Sequence, residues 1–385
     1  MRFKCDQKYI ICAIIAFSVI LETLYIFIPT AVWWDTAIYV GIGKYIFSNG
    51  TIGYLETFRP VLWPIVLGAL WRVGLNPLLA AKIICVAMSA GTIFLVYRIA
   101  EGFKKNAGIF AALMLAVSSV YFTFTVVGIT DVPSAFFTVL ALYYFLKKKP
   151  FFAGIAVGTA FLLRFPQGIM LVPIFTVILI AFIKAKDSRL SILAEAAKIA
   201  GGFLLLAIPY LVVNYFLYGN PLLPIITGNQ VATISADATN SGSFIFYAVG
   251  WLKENPFLVI FAVAFFFAIG KELMSANRKY LSVAMSLVVI GTYYSLISHK
   301  ELRYSIAFLP FAAIAAGAGM VWLIEKIHYK KILKITTISV SAMIIVIGLT
   351  SIFATAPRYA LGKASSDYYN FFNDKPNNFI LTARR

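Results

Sequence analysis

MRFKCDQKYIICAIIAFSVILETLYIFIPTAVWWDTAIY, residues 1 to 39, decides the fold class. The run Tyr9–Ile28 is long enough to cross a hydrocarbon core about 30 Å thick, and Arg2, Lys4 and Lys8 stand ahead of it. The pattern resembles a signal peptide, but the run is longer than an ordinary apolar core of one and no small-residue cleavage site follows. It reads as a retained first span. The rest of the chain repeats the theme: of 385 residues, 61% are hydrophobic and 12% charged, about half the charge that a soluble domain carries. The expected fold is an all-α polytopic membrane protein. The excess of 33 Lys+Arg over 15 Asp+Glu, a formal +18, belongs first to cytoplasmic loops, so nucleic acid is not an expected partner. Cys5, Cys12 and Cys85 lie near or inside apolar segments without metal or redox spacing.

Further apolar stretches run at about 60–75, 78–98, 106–124, 132–146, 150–163, 167–183, 199–217, 256–270, 281–297, 304–324 and 334–354. If all twelve crossed, Lys104, Lys105 and Lys147 to Lys149 would fall outside. Laying 60–75 in the outer interface repairs the charge pattern. Arg59-Pro60 opens that segment, Trp63 and Trp71 suit the headgroup layer, and Arg72 closes it. About eleven transmembrane helices remain, with the N-terminus cytoplasmic and 20 of the 33 basic residues in six inner segments. The expected organisation is one transmembrane domain, 1–354, with outer segments 29–77 (interfacial helices) and 218–255, and a short external tail, 355–385. Segment 218–255 is polar and Gly/Ser-rich from Thr227 to Ser243, the composition of either a mobile cover or a loose connector.

Acidic residues are scarce, and two stand apart from the lysine-rich inner loops. Asp35 follows Trp33 and Trp34; Asp131 precedes Pro133 in an outer turn. Each is either a helix cap at the interface or a working carboxylate, a general base for a hydroxyl or a ligand for a divalent metal. Outer basic residues form three groups: Arg59 beside Glu56, Arg164 at the end of the fifth span, and Lys300 with Arg303, flanked by His299 and Tyr304. Single basic residues here snorkel to lipid phosphates, whereas grouped arginines grip phosphate oxygens in pairs. Trp33 and Trp34 anchor the first span or stack on a sugar, and Tyr39, four residues after Asp35, shares its helical face. There is no Walker loop, dinucleotide fingerprint, HExxH motif or serine elbow.

The order Trp34-Asp35-Thr-Ala-Ile-Tyr39, then Arg59-Pro60 before a Trp-containing helix, Thr130-Asp131-Val-Pro-Ser-Ala-Phe-Phe, and Lys300-Glu-Leu-Arg303-Tyr304 before Phe308-Leu-Pro310 resembles membrane glycosyltransferases of the GT-C superfamily. The branch it looks most like holds the dolichyl-phosphate-mannose protein mannosyltransferases and the lipid A aminoarabinose transferases. The resemblance covers about residues 9 to 324. It implies a GT-C-like bundle that takes sugar from a polyprenyl-phosphate-linked donor and passes it to a hydroxyl acceptor by inverting displacement. Asp35 then matches the first-loop aspartate and Asp131 the second acidic position. Arg59, Arg164, Lys300, Arg303 and Tyr304 would bind donor phosphate, and Trp34, Tyr39, Glu56 and His299 sugar or acceptor. Asp131 would orient Arg59, bind acceptor or join Asp35 at a metal. No cofactor is required beyond that optional divalent metal. Where the family usually has Lys-Gly, this chain has Arg164-Phe165-Pro166-Gln167-Gly168. The expected location is the plasma membrane, among membrane lipids, with the active site external. A secondary transporter or flippase for a lipid-linked or small anionic substrate is the alternative; it calls for ionisable groups near the bilayer midplane, often beside broken helices.

Overall fold

The computed structural model describes residues 7–28, 32–185, 188–239, 242–327 and 329–359. Arg2, Lys4, Lys186, His328 and the expected tail from residue 360 onward lie outside the described residues. The chain folds as α1 (Gln7–Ile26), α2 (Trp34–Phe47), α3 (Leu62–Arg72), α4 (Pro77–Glu101), α5 (Ala107–Ala116), α6 (Ser119–Val127), α7 (Asp131–Leu146) and α8 (Pro150–Leu163). A 3-10 turn, Phe165–Met170, leads to α9 (Leu171–Lys184), α10 (Arg189–Tyr218), α11 (Leu223–Thr239), α12 (Phe246–Glu254), α13 (Pro256–Ala268), α14 (Gly270–Met274) and α15 (Arg278–Leu296). A second 3-10 turn, Leu302–Ala307, precedes α16 (Leu309–Ile324) and α17 (Lys330–Tyr359). No strand occurs among the described residues.

Every segment expected to cross is helical, and the short helix after Arg59-Pro60 forms as α3. Local chemistry sets several starts. Pro77, Pro150 and Pro256 occupy first helical positions, where a missing N–H costs nothing, and the Asn76 side chain accepts from the N–H groups of Leu78 and Leu79. Among the described residues, five helices are long and apolar enough to cross a membrane, six if α5 and α6 count as one bent span; α7, α8, α13 and α16 are shorter apolar helices packed into the bundle. The eleven expected crossings therefore exceed what helix length alone supports.

Two differences from the sequence reading matter for the site. The run 106–124 is not one straight helix, because α5 and α6 meet at 58°. The break leaves the N-terminus of α6 needing acceptors, and the Glu254 carboxylate supplies one, accepting from the Ser119 hydroxyl at 2.6 Å and from the Val120 N–H. Segment 218–255, read as a cover or connector, is largely helical and forms α11 and α12.

The bundle is centred on α16, buried at every position from Leu309 to Val321. Its small residues let backbones touch: a Cβ on Gly319 would lie 2.0 Å from the Phe261 carbonyl oxygen of α13. The same device joins α2 to α3, where a Cβ on Gly68 would lie 2.4 Å from the Gly43 carbonyl oxygen. That contact fixes the angle between the helix carrying Asp35 and the one that follows Arg59. The starts of α2, α3, α7 and α16 and the ends of α8 and α15 gather at one end of the bundle, called here the site face. The basic run Lys147 to Lys149 follows α7 at the opposite end.

Candidate active site

A cavity of about 560 Å³ opens at the site face. Asp35 lies in its wall, in the first turn of α2, where the helix dipole favours a carboxylate. Both of its oxygens are taken. Arg59 Nη1 stands 2.8 Å from Oδ1, and Arg303 Nη1 donates to Oδ2. Each arginine has a second carboxylate behind it. Arg59 Nε donates to Glu56 at 2.8 Å, and Arg303 Nε lies 2.6 Å from Glu301 Oε2. The chain of charge is thus Glu56, Arg59, Asp35, Arg303, Glu301, with alternating sign throughout.

Burial alone would push the Asp35 carboxyl up, but the paired Arg303 and Arg59 hold it well below the usual carboxylate range. Burial works against the charge of the two arginines as well, and their acidic neighbours together, Asp35 first, then Glu56 at Arg59 and Glu301 at Arg303, more than restore it. Glu301 is half-buried and is held below its ordinary value by Arg303 and by the hydrogen bond from His299. Tyr304 is pushed up by burial and donates to Glu301 at 3.3 Å.

A second pair closes the far wall. Asp131, at the head of α7, binds Arg164, which ends α8 in an extended conformation and stacks over the Tyr304 ring at 4.8 Å. Asp131 is 3% exposed and turned to Arg164 rather than to Arg59. Behind it, Gln167 is buried and donates to the Ser134 hydroxyl, leaving its own carbonyl oxygen unpaired.

Of the residues singled out from sequence, Asp35, Tyr39, Arg59, Asp131, Arg164, His299, Arg303 and Tyr304 all line this cavity. The Arg59 guanidinium lies 5.6 Å from the Tyr39 ring centroid. Glu56 stands behind Arg59 rather than in the cavity. Lys300 turns aside, its ammonium donating to the Ile297 carbonyl at 2.9 Å. Trp34 is 45% exposed and outside the lining, while Trp33 is the indole near the site, 5.9 Å from the Arg303 guanidinium.

Sequence reasoning passed over several lining groups: Glu301, Phe58, Phe165, Tyr293, Tyr294, and Ile225, Gly228, Asn229 and Val231 of α11. For Glu301 a signal existed, since it stands two residues from Arg303 in the same turn. It also passed over Glu22, a buried carboxyl in the middle of the first apolar run.

Among the described residues no three His, Cys, Asp or Glu side chains group as metal ligands. Asp35 presents both oxygens to guanidinium groups, and Asp131 holds Arg164. Such a donor set does not suit a divalent cation, and no step is derived through one. What the arrangement offers is three arginines on one cavity, each balanced by a carboxylate that an entering anion can replace.

Residues 59–213 match the family described as dolichyl-phosphate-mannose-protein mannosyltransferase. The chain superposes on ArnT from Cupriavidus metallidurans bound to undecaprenyl phosphate with a TM-score of 0.60 at 16% identity, over 80% of this chain and 60% of that one. It superposes on the apo Archaeoglobus fulgidus oligosaccharyltransferase with a TM-score of 0.62 at 14% identity, over 98% of this chain and 57% of that one. Among curated protein sequences none matches. The GT-C fold expected from the sequence is thereby borne out, in a chain that spans about 60% of the length of these two structures.

Proposed function

We propose that this chain is a GT-C glycosyltransferase that moves a sugar from a polyprenyl-phosphate-linked donor to a hydroxyl acceptor, with inversion. The observation that carries the reading is the Asp35 carboxylate held between Arg59 and Arg303 in the wall of the cavity. A carboxylate so clamped is a poor base. It becomes a good one when the donor phosphate draws the two arginines onto its own oxygens. The acceptor hydroxyl then attacks the anomeric carbon, the bond from that carbon to the phosphate oxygen breaks, and its electron pair leaves with the polyprenyl phosphate. The hydroxyl proton passes to Asp35. Negative charge thus moves from Asp35 to the leaving phosphate, and arginines standing between the two can follow it with little reorganisation. Arg164, opposite, is the third phosphate contact, and Tyr39 and His299 lie where sugar or acceptor would sit.

The donor class rests on the family match and on the bound undecaprenyl phosphate of the ArnT structure. The chain would lie in a plasma membrane with the site face external and Lys147 to Lys149 cytoplasmic, as the distribution of basic residues favours. A divalent metal is not needed to manage the leaving charge. One observation favours a second reading, a transporter: Glu22 is a buried intramembrane carboxyl near the broken α5 and α6 pair. Purified protein given a radiolabelled polyprenyl-phosphate sugar and candidate hydroxyl acceptors decides between them. Transfer by the wild type that disappears in Asp35→Asn supports the enzyme, and transfer that survives that change removes Asp35 as base.

A further inference from the structure

Glu22 lies outside the cavity and takes no part in the chemistry proposed above. It is 1% exposed on α1, surrounded by α1, α4 and α6. Its Oε1 accepts from the Ser89 hydroxyl of α4 at 2.7 Å and from Ser18, one turn back, at 3.1 Å. Its Oε2 is fully buried with no partner. The Tyr121 hydroxyl of α6 is equally buried and equally unpartnered, facing Glu22, Ser89 and Thr92 without a well-formed hydrogen bond to any of them. Thr92 spends its proton on the Met88 carbonyl at 2.8 Å and keeps its lone pairs. Among the described residues no Lys or Arg pairs with Glu22.

A lone carboxyl costs several kcal/mol to hold in an apolar interior unless something neutralises it, and two unsatisfied polar atoms add to that cost. The side chains around Glu22 offer hard oxygens: two from the carboxyl and one each from Ser18, Ser89, Thr92 and Tyr121. Tyr121 sits in the first turn after the 58° break, the kind of interrupted span beside which membrane proteins bind small cations. We infer that these residues bind one monovalent cation of the sodium class, which neutralises Glu22 and takes up the unpaired oxygens of Glu22 and Tyr121. The charge count selects the valence. One carboxylate and one monovalent ion sum to zero, whereas a divalent ion would leave a net positive charge in the hydrocarbon. The ion would tie α1 and α4 to α6, whose far end leads through Gly128 to Asp131.

The test reads stability, so it does not depend on sugar transfer. Full-length protein in detergent is unfolded thermally in NaCl, KCl, CaCl2 or choline chloride at matched ionic strength. The expected result is a saturable rise in Tm of about 3 °C or more in NaCl over choline, absent in Glu22→Gln, which keeps the shape but not the charge. Tyr121→Phe and Ser89→Ala should raise the half-saturating NaCl concentration several-fold, and these variants decide the matter should Glu22→Gln not fold. Equal Tm in NaCl and choline, a sodium response that survives Glu22→Gln, half-saturation unmoved in both other variants, or a stronger response to CaCl2 would each overturn the inference.

Discussion

Asp35 and Arg303 are 268 residues apart in the chain and form one ion pair in the wall of the cavity. Because Arg59 holds the other oxygen of the same carboxylate, Asp35 competes for its arginines with any phosphate that enters. Asp35→Asn removes a base and a competitor together. Transfer should fall by at least about 100-fold, while polyprenyl phosphate binds as tightly as to the wild type or more so. Titration calorimetry in detergent measures the second quantity. Weaker binding in the variant would mean that Asp35 helps to hold the phosphate, against the exchange described here.

Arg303 donates through Nη1 to Asp35 and through Nη2 to Glu301 at 3.1 Å. A lysine keeps the charge and loses the fork. Arg303→Lys should lower kcat/KM for the donor by about 10- to 100-fold, the worth of one or two charge-assisted hydrogen bonds. Glu301→Gln, which only loosens the arginine, should cost less. A Lys variant as active as the wild type would make Arg303 a point charge and nothing more.

The aromatic residues near Asp35 separate by position. Tyr39 lines the cavity under Arg59, whereas Trp34 is 45% exposed and outside it. Trp34→Ala should leave transfer within about twofold of wild type and act on membrane retention, as expected of an interface anchor. Tyr39→Ala should lower kcat/KM by about tenfold, the scale of a lost cation–π contact and its packing. Steady-state kinetics in nanodiscs distinguishes the two, and equal losses would put Trp34 in the site after all.

Glu254 gives the fold a dependence on pH. Burial pushes its carboxyl up from 4.5 to about 7, against the hydrogen bonds from Ser119 and Val120. A group whose pKa is raised by folding binds its proton more readily in the native state. Its contribution is therefore fully present below about pH 4.5 and is lost as pH rises through about 7. By the usual conversion of about 1.4 kcal/mol per pKa unit, the whole change is at most about 3.5 kcal/mol. Thermal unfolding should show a Tm that falls between pH 5.5 and 8, and Glu254→Gln should flatten that slope. A slope unchanged in the variant would assign it to other groups.

The sequence made some of this architecture readable, for identifiable reasons. Asp35, Arg59 and Arg303 were legible because charge is rare here and each stands at the edge of an apolar run, where a polar residue needs a reason. Their pairing was not legible, since nothing local links residues 35 and 303. The bend between Ala116 and Ser119 falls at the polar pair Ser118-Ser119, a trace the reading of 106–124 as one apolar run overlooks, and the group that stabilises it, Glu254, lies 135 residues further on. Glu22 was hidden for the opposite reason. One carboxyl in twenty residues barely changes mean hydropathy, so the span was recognised and its exception absorbed. Lys300 shows the limit of reading a cluster as a unit, since its neighbours face the cavity and its own ammonium returns to the backbone.

The short helices carry a consequence for the surrounding lipid. At 1.5 Å per residue, the 13 residues of α13 rise only about 20 Å and the 14 of α8 about 21 Å, against a hydrocarbon layer of about 30 Å. α8 is enclosed by α7 and α10, but α13 turns Ile260, Val263 and Phe267 outward, so a bilayer meeting α13 would thin, or let its headgroups sink, along that helix.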